Sequence, residues 1–144
     1  METVAINFDL DSNNYAAGLG FLVVYQNQVL VDIDKVASKN SIKFDLDVED
    51  GDHALQFTMK NKTIDNTVVD EHGNIVSDSY LTIANMHLEN VDLGYTFIEN
   101  SVYHHDFNGS KDKIEETFYG TMGCNGTVTF RFTTPFYIWL LENI

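Results

Sequence analysis

Residues 48–63, VEDGDHALQFTMKNKT, set Glu49, Asp50, Asp52 and His53 around a single glycine, Gly51. Carboxylates and an imidazole at one turn are the donor types of calcium sites, of zinc or iron sites and of acid–base catalysis. An EF-hand loop needs Asp or Asn at its first, third and fifth positions and glycine at its sixth. With Gly51 sixth, Asp50 falls fifth, but Val48 falls third and Leu46 first, so the register fails. A looser oxygen cage from Asp50, Asp52 and backbone carbonyls would still suit calcium, which accepts irregular coordination. Asp and Gly are equally the ordinary residues of a tight turn. On that reading the stretch is the polar tip of a hairpin and needs no cofactor.

The second concentration of chemistry is VYHHDFNG, residues 102–109. His104 and His105 are adjacent, so on a strand they face opposite ways and could share a metal only from an irregular loop. A His, His, Asp set suits zinc or iron, but no third ligand stands at a motif spacing, and neither H-E-x-x-H nor a C-x-x-C partner is present. No metal-ligand set is therefore assigned. Tyr103, Asp106, Phe107 and Asn108 offer a different chemistry, aromatic faces beside hydrogen-bonding groups, which suits a sugar ring and its hydroxyls. The plain alternative is a loop that tucks Tyr103 and Phe107 into the core.

Other catalytic signatures are missing. G-x-S-x-G, the P-loop and G-x-G-x-x-G do not occur, and GLGF at 18–21 precedes a strand pattern instead of following one. Glycosidases need two carboxylates flanking a cleft, but with 22 acids some pair is inevitable and carries no signal. Cys124 is the single cysteine, so an intrachain disulfide and a cysteine zinc site are excluded. The expectation is a non-enzymatic protein. Three N-x-[ST] sequons, at Asn61, Asn108 and Asn125, carry weight only on a secretory route.

These residues must be positioned by strands. Val4, Ile6, Phe8 and Leu10 alternate with polar or small residues, as do Val29, Val31 and Ile33, Ile42 to Val48, Leu55 to Met59 and Val128 to Phe132. A period of two puts apolar side chains on one face of a strand and polar ones on the other, the pattern of antiparallel sheets. Gln26-Asn27, EDGD, DEHGN and MGCNG punctuate the runs with turn residues. Residues 98–115 fit no period and read as a long loop, a favoured place for function. Only the C-terminus suggests a short helix: Thr134 as cap, Pro135 first, then FYIWLLENI with Phe136, Trp139 and Leu140 on one face. A final strand competes, since Tyr137, Trp139 and Leu141 also alternate. FDLD occurs twice, at the start of the chain and near residue 44, too short to mark a repeat. The expected fold is all-β, one antiparallel β-sandwich of jelly-roll type spanning residues 1–144 as a single domain.

With 44% hydrophobic residues and 144 positions the chain can bury a core and lies outside the disordered class. Its net charge of −14 opposes nucleic acid and anionic membranes, and its one arginine and scattered lysines form no basic patch. No apolar run approaches the roughly 20 residues of a membrane span, and the N-terminus has no signal-peptide pattern. The expected setting is the cytosol or a larger assembly.

The stretch DHALQFTMKNKTI, followed by DSYLTIANMHLENVDL, resembles the core of jelly-roll carbohydrate-binding modules over residues 51–93. That resemblance implies a β-sandwich that binds glycans without catalysis. In calcium-dependent members, loop carboxylates hold the ion; Asp52 and Asp78 are the positions nearest that pattern, and His53 falls where the family has a structural strand histidine. DFNGS and ETFYGTMGCNGTVTFRFTTPFYIWLLEN, with the low-arginine composition, resemble small proteins of tailed marine cyanobacterial phages. This implies a virion component, of the tail or its host-recognition apparatus, or an accessory protein, and hence a setting in the virion or the host cytoplasm. The expected ligand-binding residues are thus Tyr103, His104, His105, Asp106, Asn108, Asp50, Asp52 and Asp78. The expected partner is a glycan or, alternatively, copies of the chain or other virion proteins in an assembly without a small-molecule ligand.

Overall fold

Alternating apolar residues dictate the architecture, because each such strand must lay one face against another sheet to leave water. A computed structural model describes residues 1–144. In chain order the strands are β1 (Glu2–Ser12), β2 (Gly20–Tyr25), β3 (Gln28–Ile33), β4 (Asn40–Val48), β5 (Gly51–Lys60), β6 (Val68–Val69), β7 (Ile75–Ser77), β8 (Leu81–Leu88) and β9 (Val91–Asp92). After a short helix α1 (Tyr95–Glu99) come β10 (Ser101–His105), β11 (Ile114–Thr117), β12 (Thr121–Met122) and β13 (Gly126–Thr134), then helix α2 (Phe136–Asn143). One sheet runs β12-β8-β1-β4, with β9 also on β8; the other runs β11-β10-β13-β5-β2-β3. All pairs are antiparallel. The β6–β7 hairpin pairs only with itself and stands out as an arm.

Between the two large sheets lies one core of 29 residues. It gathers Val4, Ile6, Phe8 and Leu10 from β1, Leu55, Phe57 and Met59 from β5 and Val128, Phe130 and Phe132 from β13. Phe57 meets Phe8 and Phe97 edge to face, and Phe97 meets Phe118 and Phe130 in the same way. Such pairs add to the area they bury. Gln26 and Asn27 both have positive φ, 48° and 63°, and close β2–β3 as the expected tight hairpin. At Gly126 a Cβ would collide with the His104 carbonyl, so glycine lets β13 lie close against β10.

Three expectations are corrected. Residues 49–50 are not a hairpin tip: β4 pairs with β1 in one sheet and β5 with β2 and β13 in the other, so the acidic turn is a crossing between sheets. Residues 98–115 are not a loop, since they contain the end of α1, all of β10 and the start of β11; only residues 106–113 between the strands are irregular. The C-terminal helix forms, with Phe136 and Trp139 buried and Leu140 packed beside them. Thr134 does not cap it. The Glu2 carboxylate does so from β1, accepting from Phe136 N at 3.2 and 3.3 Å, where a negative charge also favours the helix dipole.

Candidate functional site

β5 carries Asp52 and His53 at one end and leads to Lys62 at the other. His53, at the first end, points into the core and is nearly fully buried. Its Nδ1 lies 2.9 Å from the Tyr25 hydroxyl and its Nε2 lies 2.8 Å from Thr134 Oγ1. Thr134 donates its own hydroxyl to the Glu49 carbonyl at 3.0 Å. Thr134 must therefore accept from His53 Nε2–H, which makes Nδ1 the acceptor for Tyr25. The histidine is a structural tie across the sheet crossing. Beside it Asp52 faces outward opposite Thr133, in a depression of about 350 Å³ with Arg131 and Trp139. Asp50 projects from the crossing into solvent.

At the far end of β5 the chain buries Lys62, with 1% of its side chain exposed. Its ammonium donates to Asp78 Oδ1 at 2.6 Å and to the Gly123 carbonyl at 2.5 Å. The same Asp78 oxygen accepts from Thr67 Oγ1 at 2.7 Å and Ser79 N at 2.8 Å. Burial pushes the Asp78 carboxyl up, but the bonds from Lys62, Thr67 and Ser79, with the charge of Lys62, outweigh it and hold the carboxyl below its ordinary range. Thr67 and Asp78 flank the β6–β7 arm, so one buried cation staples both feet of the arm to the sandwich.

Next to this staple lies the turn after β10. Tyr103 is buried, its hydroxyl donating to the Cys124 carbonyl and accepting from Cys124 N at 2.9 Å. Burial pushes this phenol far above its ordinary range and also raises the Cys124 thiol, which leaves the thiol protonated and a poor nucleophile. His105 Nε2 meets Glu116 Oε1 at 2.8 Å, and its Nδ1 accepts from Phe107 N at 3.2 Å. Both ring nitrogens are thus engaged. His104 faces the other side of β10, 3.6 Å from Glu115, as strand geometry requires. Asp106 closes the turn by accepting from Gly109 N at 2.8 Å. Asn108 Oδ1 accepts from Asn125 N at 2.7 Å, and the Asn125 side chain in turn bonds the backbone of Lys62 on both sides, at 2.9 Å each.

Between this turn and the root of the arm opens a groove of about 550 Å³. Phe107, Asn108 and Ser110 form one wall, and Thr63, Ile64, Thr67 and Val69 the other, over the stem of Lys62. The fold thus brings together Asn108, the Asp106 turn, buried Tyr103 and His105 behind it, and Asp78 through Lys62. It leaves Asp50 and Asp52 roughly 30 Å away, the length of β5 at about 3.3 Å per residue, and His104 on another face. No group of three or more His, Cys, Asp or Glu side chains is placed to hold a metal ion. Lys62, Thr63, Thr67 and Asn125 are site residues that sequence reasoning missed. Lys62 lies past the end of the alternating run, and its partner Asp78 follows at no recognisable spacing.

The chain matches no protein-family model, no curated protein and no solved structure.

Proposed function

We propose that the protein is a non-catalytic binding module whose groove between Thr63–Val69 and Phe107–Ser110 takes a neutral glycan. The observation that carries this reading is the lining itself. Phe107, Thr63, Thr67, Ser110 and Asn108 line one cavity, and the three hydroxyls, which donate within the protein, keep their acceptor capacity for a ligand. A sugar needs both kinds of surface, an apolar face to stack and polar groups for its hydroxyls. The one cation in the lining, Lys62, is already neutralised by Asp78, and Lys111 beside the groove lies over one face of the Phe107 ring, 4.8 Å from its centroid, which leaves the other face for a sugar. The engagement of both His105 nitrogens favours binding over acid–base chemistry. The resemblance to jelly-roll carbohydrate-binding modules supports the same reading, and the resemblance to small phage proteins suggests a virion as its setting.

A glycan array run with and without calcium tests this, the calcium arm reporting on an ion at Asp50 and Asp52, since Asp78 is taken up by Lys62, Thr67 and Ser79. Retained neutral glycans are expected, with Phe107→Ala weakening them about tenfold, the equivalent of about 1.4 kcal/mol. An array on which nothing is retained in either arm would sink the proposal.

One observation favours a second reading, self-assembly. Helix α2 leaves Tyr137, Ile138, Leu141 and Ile144 more than half exposed, a helical stripe that a second copy could cover.

A further inference from the structure

We infer that the outer face of the β12-β8-β1-β4 sheet carries a second ligand site, a trough crossing β8 that takes an extended neutral oligosaccharide. Two depressions, of about 310 and 390 Å³, meet at Thr82, Ala84 and Asn85, which line both. They join where β8 carries an extra residue against β1: Asn7 pairs with His87, but Asp9 pairs with Ala84. Asn85 sits in this bulge with φ of 56° and donates its amide to Asp9 Oδ2 at 2.8 Å. Bulges of this kind re-aim a side chain and interrupt pairing. On the far edge, β12 pairs with Leu81 and Thr82 and β9 with His87 and Leu88, and the Gly120 carbonyl and Leu93 N extend this cover to Ile83 and Met86, so the gap between them is confined to Ala84 and Asn85.

Each end of the trough has a tyrosine beside carboxylates. Tyr80 lies with Asp9 and Asp11 at one end, and Tyr119, 78% exposed, lies with Asp92 at the other. Rings to stack on and carboxylate and amide groups for hydroxyls recur along one line, which fits a chain of sugar units. Lys39 also lines the trough, 4.0 Å from Asp9, but Asp9, Asp11 and Asp92 outnumber it, so the lining stays net negative, repels a polyanion and selects a neutral chain.

Asp78 links this trough to the groove. Its carboxylate holds Lys62 and Thr67 in the groove wall, while its backbone carbonyl accepts from Asn13 Nδ2 at 2.7 Å in the trough wall. Asn13 Oδ1 in turn accepts from Tyr80 N at 2.8 Å. Two sites on one rigid post can engage one polysaccharide together, and their affinities then compound through effective concentration.

The ligand class rests on the glycan reading of the groove; the location rests on separate residues, so the two can fail separately. The test is an amide NMR titration of the full chain with cellohexaose, xylohexaose, mannohexaose and laminarihexaose. Shifts are expected at Thr82, Ala84, Asn85 and Tyr119 as well as at Phe107 and Asn108. Tyr119→Ala should weaken the trough response about tenfold and leave the Phe107 response within about twofold. Shifts confined to Phe107 and Asn108, or a trough response that Tyr119→Ala leaves unchanged, overturn the trough and keep the groove. Shifts confined to the trough support it and overturn the groove. No shifts with any of the four sugars overturn both.

Discussion

Lys62 and Asp78 form an ion pair with unequal halves: the lysine side chain is 1% exposed and the aspartate 33%. Removing one partner of a buried pair is expensive because the other charge stays behind in the protein. Asp78→Asn strands the buried ammonium and should cost about 3 kcal/mol. Lys62→Met strands only a carboxylate that water can reach and should cost about 1 kcal/mol. Urea denaturation should therefore place the midpoint of the aspartate variant below that of the lysine variant. The pH dependence follows from the same residue. Burial raises the Asp78 carboxyl, but the hydrogen bonds of Lys62, Thr67 and Ser79 with the charge of Lys62 lower it by more, so its folded pKa lies below the ordinary 3.8. Its contribution to stability is complete above that unfolded value and is lost as pH falls through the folded one. The gap between wild type and Asp78→Asn should begin to narrow below about pH 4 and close only once pH has fallen below the folded pKa. At this scale the sequence was half legible. His53 reads as a structural strand residue and is one, and Tyr103 tucks into the core as the plain alternative had it. The Lys62 staple was invisible, because nothing in local spacing announces a lysine that goes inside.

The β6–β7 arm is the element least supported by the rest of the fold. Val68, Val69, Ile75 and Val76 are each more than half exposed, and a two-stranded hairpin alone is marginal in water. Hydrogen exchange should show amides of residues 68–77 opening orders of magnitude faster than those of β1, β5 and β13. A ligand seated against Ile64, Thr67 and Val69 should slow them. Exchange as slow as in β5 without ligand would contradict this placement. Period two revealed β1, β4, β5 and β13 because each buries one full face. It could not say which strands pair, so the crossing at residues 49–50 looked like a hairpin. The alternation of Ser101, Tyr103 and His105 was hidden because two of its three inward residues are polar, satisfied by Phe97 O and Glu116.

Over the whole molecule the net charge of −14 is the dominant fact. Residues 63–110 contain no lysine or arginine at all, and that span includes the arm, β8 and β10. Self-repulsion on this scale weakens a compact state, and salt screens it. The melting temperature should rise by several degrees between about 10 mM and 500 mM sodium chloride, where the Debye length falls from about 30 Å to a few ångströms. Light scattering over the same range tests the α2 stripe, since a dimer held by Tyr137, Ile138, Leu141 and Ile144 should appear only once the repulsion is screened. A mass that stays monomeric at high salt and high concentration removes the assembly reading. The all-β class was legible throughout, because hydrophobic alternation is a property of every long strand; the order of strands was not. That order has a consequence for folding. β13 lies between β10 and β5 in the middle of its sheet, with Phe132 opposite His53. β5 and β10 have no pairing with each other, so the sheet closes around its core only when β13 docks between them, a step that joins segments about seventy residues apart along the chain.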